Sequence, residues 1–284
     1  MKRTNLSTIC LSAVLVLGTL GSSPRAEILA MVNYETKPEQ TMRREGIAVV
    51  DVDPASDNFG KILMDMPLPP DLGAHHIFYN KDASKAYVTA LLKPELRVID
   101  LTRNPYRMKT VTIEECGFGE DVVFSDDNKT WYLTCMGTDK VLVGDATTDT
   151  VKQVIATPKP YPHGIAINSG IDRMLITSTV RPADLGDPGE TVSESELSTG
   201  KSLASHTVSN KPSPSGEAPV EVLFLPESDP PIAYVTNMFG GSLWAGAWRA
   251  DRNTFDFAQA VDLSEIGAGV PLEIYFNKAL EWIR

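Results

Sequence analysis

Three of the chain's four histidines stand just ahead of short apolar runs of strand type, and four carboxylates stand at the same places. The runs are Ile77-Phe78-Tyr79, Val122-Val123-Phe124, Ile165-Ala166-Ile167, Val222-Leu223-Phe224 and Ile274-Tyr275-Phe276. Immediately before them come His76, Asp121, Gly164, Glu221 and Glu273; one residue further back come His75, Glu120, His163, Val220 and Leu272. Neutral imidazoles mixed with carboxylates suit a transition metal such as copper, zinc, iron or manganese, whereas carboxylates alone would suit calcium or magnesium. The same residues also fit a plain polar lining of a wet channel mouth. Successive side chains of a strand point to opposite faces, so one of His75 and His76 is expected to face a common centre and the other to turn away. His206 falls outside this register. Other chemistries lack their residues: there is no G-x-S-x-G elbow, no phosphate-cradling glycine loop and no C-x-x-C pair.

Residues this far apart meet only if equivalent elements fan about one axis. The apolar runs sit in strands that begin at 74, 119, 162, 219 and 271, at intervals of 45, 43, 57 and 52 residues. A strand-turn-strand pattern recurs in step with them: VVDVDPASDNFGKIL (49–63), VIDLTRNPYRMKTV (98–111) and VGDATTDTVKQVI (143–155), then two degenerate copies from 195 and 247. Strand-only units repeating at this spacing predict an all-β fold, a β-propeller of four-stranded antiparallel blades. About five blades are expected, either a small ring closed by strands from both ends or a seven-bladed ring cut short. Residues 181–189 (RPADLGDPG) and 209–218 read as surface loops, the first positioned to act as a lid over a funnel mouth. Trp131, Trp244, Trp248 and Trp282 are expected to pack between blades.

The 284 residues are 42% hydrophobic and 22% charged, enough for a real core in one larger β domain, and the net charge is −11. With no Lys/Arg-rich patch, nucleic acid and anionic membrane are disfavoured as partners. Lys2 and Arg3 precede an apolar run over 9–20 and small residues through Ala26, the layout of a secretory signal peptide. Residues 1–26 are therefore expected to be a signal, 27–284 the propeller domain, and the location periplasmic or secreted, with no membrane span after cleavage. Cys116 and Cys135 would then sit in an oxidising compartment; they can pair only if the chain turns at Gly117-Phe118-Gly119.

AYVTN (233–237) and AYVTA (86–90) are similar to the YVTN-type propeller repeat. GIAVVDVDPASDNFGKILMDMPLP (46–69), the His75-His76 pair and PVEVLFLPESDPPIAYV (219–235) resemble the selenium-binding protein family, whose bacterial members include periplasmic, copper-dependent methanethiol oxidases. The resemblance implies a copper or other transition-metal site, with His75, His76 and Glu221 carrying over by position. The family's cysteine pair after the histidines has no counterpart here. Its later histidine-rich stretch is replaced by GFGEDVVFSDD (117–127), and its C-terminal third is absent.

The leading expectation is a metal-dependent oxidoreductase acting on a small sulfur compound such as methanethiol. His75, His76, Glu221 and His163 are the candidate ligands, and Glu221 and His163 the candidate acid/base groups. The alternatives are a non-catalytic propeller binding a ligand or protein at its funnel face, and a calcium- or zinc-dependent hydrolase.

Overall fold

The computed structural model describes residues 28–276 apart from 38 and 43; the expected signal peptide and Trp282 lie outside them. The fold is all-β, built of antiparallel sheets in chain order. The first holds β1 (Leu29–Glu35), β2 (Glu45–Asp51) and β3 (Ile62–Leu68). The second holds β4 (Ala74–Tyr79), β5 (Lys85–Ala90), β6 (Glu95–Asp100) and β7 (Arg107–Thr112). The third holds β8 (Gly119–Phe124), β9 (Thr130–Cys135), β10 (Lys140–Asp145) and β11 (Thr150–Ala156). The fourth holds β12 (Pro162–Asn168), β13 (Arg173–Ser178), β14 (Thr191–Glu196) and β15 (Ser202–Thr207). The fifth holds β16 (Pro219–Phe224), β17 (Ile232–Asn237), β18 (Ser242–Arg249) and β19 (Thr254–Asp262). Among the described residues no helix is long and apolar enough to cross a membrane.

Each sheet is apolar on both faces and finds its partner in the next sheet. Tyr87, Leu96 and Val98 of the second sheet bury against Phe124, Trp131 and Leu133 of the third. Tyr132, Val141 and Val143 meet Ile165, Met174 and Ile176 of the fourth. Leu175 and Val192 meet Val222, Trp244 and Phe255 of the fifth, and Trp248 packs against this cluster. The outermost strands β7, β11 and β15 alternate with exposed residues, and Lys109 and Lys152 on them guard the edges against pairing with other chains. An ion network also fastens the fourth sheet to the fifth: Arg173 Nε donates to Glu194 at 2.7 Å, both side chains almost wholly buried, and Thr254 Oγ1 donates to the same carboxylate.

The innermost strands β4, β8, β12 and β16 share one construction. Each is entered through a residue in the left-handed region: Gly73, Phe118, Tyr161 and Ala218. The carbonyl of that residue accepts the amide at the end of the second strand, from Leu91, Met136, Thr179 and Met238 in turn. Three of the four are non-glycine residues at φ between 52° and 59°, a conformation that costs each about 1–2 kcal/mol and is held by this bond. At Phe118 the same bend carries Cys116 back across to Cys135, and the two form a disulfide with Cα atoms 5.1 Å apart.

Two residues later each inner strand slips register against its neighbour, between Ala74 and Ile77, Gly119 and Val122, Pro162 and Ile165, and Pro219 and Val222. Such a bulge leaves backbone groups without ladder partners. A threonine on the second strand takes them up. Thr89, Thr134, Thr177 and Thr236 accept from the amides of His76, Asp121, Gly164 and Glu221 at 2.8–3.1 Å. Thr134, Thr177 and Thr236 then donate to the next unit, at His163 O, Val220 O and Leu272 O. In the first sheet Asn33 fills the place, donating to His75 O at 2.8 Å, while the buried Glu45 carboxylate accepts from the amides of Gly73 and Ala74.

Gly164 is required at its bulge. A Cβ there would lie 2.3 Å from Val220 O and 2.9 Å from Val222 N, both backbone atoms of the adjoining strand. Gly164→Ala is expected to lower unfolding stability by about 2–3 kcal/mol, read by urea denaturation; a loss under ~0.5 kcal/mol would mean that β12 and β16 separate freely.

The first sheet has three strands and the other four sheets have four each. One expectation needs correction. The predicted fifth inner strand, 271–276, enters through Val270 at φ 60° and receives the Thr236 bond like the others, but it forms no ladder. A strand needs a neighbour to be one, and among the described residues no strand pairing or buried cluster joins the last sheet to the first.

Candidate metal centre

The bulges set the site. Strict alternation would turn His75 and His76 to opposite faces, but the two-residue slip cancels it. Their rings stack, with centroids 3.9 Å apart and planes at 19°, so both imidazoles belong to the centre. The side chains of the four bulges, with those of Leu272 and Glu273, fall into two rows. His75, Glu120, His163, Val220 and Leu272 line a pocket; His76, Asp121, Glu221 and Glu273 form a second row, with Gly164 leaving a gap.

In the pocket row Glu120 Oε2 lies 3.1 Å from His75 Nε2 and 3.4 Å from His163 Nε2. The carboxylate is buried, and this oxygen has no aligned hydrogen-bond donor. The 3.1 Å approach is close in distance but off the hydrogen-bond direction. His163 Nδ1 is likewise buried without a partner. Burial would raise the Glu120 pKa, yet contact with His75 and the charges of His163, His75 and His76 outweigh it and hold the group below its ordinary value. Glu120 is therefore an anion with a spare lone pair. Single donor atoms of His75, His76 and Glu120 lie within 4.8 Å of one another, a set that could hold one metal ion.

In the second row His76 Nδ1 faces Asp121 Oδ1 at 3.7 Å, and Asp121 Oδ2 accepts the Ile165 amide at 3.3 Å. Burial pulls the His76 pKa down, but Asp121, with Glu120 and Glu273 behind it, raises it overall. With Nδ1 turned toward Asp121, Nε2 is the ring nitrogen left to bind a metal. Gly164 puts no side chain into this row, and the charge of Asp121 acts on Glu221. Burial first, then the charges of Asp121 and Glu273, pushes the Glu221 pKa from 4.5 up to about 9, against a lowering bond from the Val222 amide. Glu221 is thus a neutral acid at pH 7.

A consequence follows for stability. Between about pH 4.5 and 9 the unfolded chain has released a proton that folded Glu221 retains. Stability should therefore fall as pH rises through that window, by at most about 1.4 kcal/mol per unit from this group. Glu221→Gln is expected to remove that slope: its stability relative to wild type improves between pH 5.5 and 8.5 in urea titrations. Parallel profiles would mean that Glu221 is ionised in the folded protein.

The pocket measures about 220 Å³. Above its polar floor the walls are Leu91, Phe118, Met136, Val180, Pro182 and Leu185 with Met238. Pro182 and Leu185 come from the 181–189 excursion, which folds back through the Arg181–Asp184 ion pair and so lies at the mouth as its sequence position predicts. A larger groove, about 460 Å³, runs over Lys85, Lys109 and Asp149, but both lysines are bound to that carboxylate at 2.9 and 2.8 Å.

Of the predicted site residues, His75, His76 and His163 come together in the centre. Glu221 lies in the second row beside Asp121, and Glu120 takes the ligand position by the histidines. Register alone could have singled out Glu120, since it aligns with His75 and His163 whereas Glu221 aligns with His76. The wall residues Leu91, Met136, Thr179 and Met238 also occupy one repeat position, two residues after the bridging threonine. His206 is outside the centre and contacts Glu194 Oε2 at 2.8 Å.

No protein-family model matches the sequence, and no curated protein matches it. Among solved structures the fold is similar to a hypothetical selenium-binding protein from Sulfolobus tokodaii, with a TM-score of 0.60 at 16% identity, covering 76% of this chain and 56% of that one. It is also similar to Kuenenia stuttgartiensis hydrazine synthase, with a TM-score of 0.51 at 15% identity over 66% of this chain and 50% of that one. U3-55K gives a TM-score of 0.50 at 10% identity, over 66% and 51%. The chain thus spans little more than half of the first and about half of the other two, and at these identities the likeness is one of fold.

Proposed function

We propose that this propeller is a metal-dependent oxidoreductase that oxidises a small sulfur compound, with copper as its metal and dioxygen as oxidant. The observation that carries the reading is the buried Glu120 carboxylate drawn up against the His75 and His163 imidazoles at the floor of an apolar pocket. Imidazole and carboxylate donors suit first-row ions, and affinity along that row peaks at Cu²⁺. The likeness to a selenium-binding protein fold agrees with the resemblance in the sequence.

His75, His76 and Glu120 would hold the ion. When bound, it supplies the electron-transfer chemistry that side chains lack. The chain's own residues do the rest. Asp121 orients His76 through Nδ1, and the threonine bridges fix the bulge backbones that carry the donors. Glu221 keeps a proton in the second row, one carboxylate away from His76. His163 stands beside Glu120 as a further nitrogen or proton acceptor. The apolar walls give the sulfur compound its contact surface. The Cys116–Cys135 disulfide supports work in an oxidising compartment, the periplasm or outside the cell.

The test is oxygen consumption by copper-loaded protein supplied with methanethiol or a longer alkanethiol. Thiol-dependent uptake that disappears on copper removal supports the reading; a folded, copper-replete protein that consumes none overturns it in favour of a ligand-binding propeller.

A further inference from the structure

The size and lining of the axial pocket say more about its ligand than the donor set does. A cavity of ~150 Å³ lined by aliphatic and aromatic side chains stays dry and takes a benzene-sized molecule. This one is about 220 Å³, far larger than a one-carbon thiol requires. Above the floor its walls are Leu, Met, Phe, Val and Pro, and no Lys or Arg lines it. The one hydroxyl in the wall, that of Thr179, has its oxygen buried out of reach. A carboxylate at the far end of a ligand's chain would lie among these walls, where no Lys or Arg faces it.

We infer that the pocket selects an uncharged alkyl thiol or thioether whose apolar chain has about four to six carbons, sulfur toward the histidines and chain against Leu91, Met136, Val180, Leu185 and Met238. Carboxylated thiols of the same length are excluded because no Lys or Arg lies along the walls that would receive the chain's end. This rests on the pocket being the substrate site proposed above, and it names the substrate class of that site.

The probes are alkyl methyl sulfides, which leave the protein's disulfide intact, titrated calorimetrically into metal-free protein. From dimethyl sulfide upward, affinity is expected to rise about fourfold per added methylene and to level off beyond butyl to hexyl. 6-(Methylthio)hexanoate should bind at least about tenfold more weakly than hexyl methyl sulfide. Met238→Trp should shift the optimum to shorter chains, and Leu185→Ala, in an exposed loop, should weaken the hexyl compound relative to dimethyl sulfide. A flat chain-length series, or equal binding of the carboxylate, overturns the inference. A rising series in a protein that consumes no oxygen when loaded with copper upholds it and removes the oxidoreductase reading; oxygen uptake with a flat series does the reverse.

Discussion

Stoichiometric copper bound by the wild-type protein is expected to be lost in the double variant His75→Ala/His76→Ala, with affinity falling more than about 100-fold. Outer residues that only orient a ligand commonly account for 10–100-fold in metal affinity, and here two of three donors disappear. The effect should be one of binding and not of folding. The two imidazoles are 35% and 26% exposed, and the backbone bonds of their bulge run through Asn33, Glu45 and Thr89, which remain. Metal analysis of purified protein and a competition titration measure the loss, and circular dichroism checks the fold. If the double variant retains one copper per chain, the metal does not sit where these residues place it.

Arg173→Met is expected to produce the largest loss of stability, about 3–5 kcal/mol in urea unfolding. The Arg173 and Glu194 side chains are 5% and 0% exposed. Besides the bond to Glu194, the guanidinium donates to the carbonyls of Ile171, Asp172 and Asn253 and lies 5.1 Å over the Trp248 ring. Removing it strands a buried carboxylate that keeps only His206 and Thr254 and unfastens the fourth sheet from the fifth. Replacing both charges, as Arg173→Met/Glu194→Leu, should recover much of the loss, because no buried charge then lacks its counterpart. A single variant within 1 kcal/mol of wild type would show that the network is dispensable.

The repeat made the fold readable before any coordinates: the inner strands at 74, 119, 162 and 219 are where their apolar runs predict, because four equivalent units bury equivalent faces. It failed at 271–276, where the pattern is present but, among the described residues, no strand pairs with it. The candidate centre was legible as a register of polar residues. What alternation could not give was the direction of His75 and His76, since a bulge is a departure from the period that the argument assumes. Glu221 carries over from the family resemblance and Glu120 does not, although the row that each shares decides their neighbours. The pocket walls went unseen because a leucine or methionine after a strand looks the same whether it faces a blade or a cavity.

The bridging threonines have a further consequence. Since the hydroxyls discharge most of the polar obligations of the bulges, with only the Ile165 and Val222 amides turning to Asp121 and Glu221, upkeep of the scaffold and choice of chemistry fall largely to different residues. Apart from Gly164, Asp121 and Glu221, the positions around the axis behave as interchangeable lettering on a fixed frame. A propeller organised this way can exchange one reaction for another by rewriting a few characters, with no revision of its architecture.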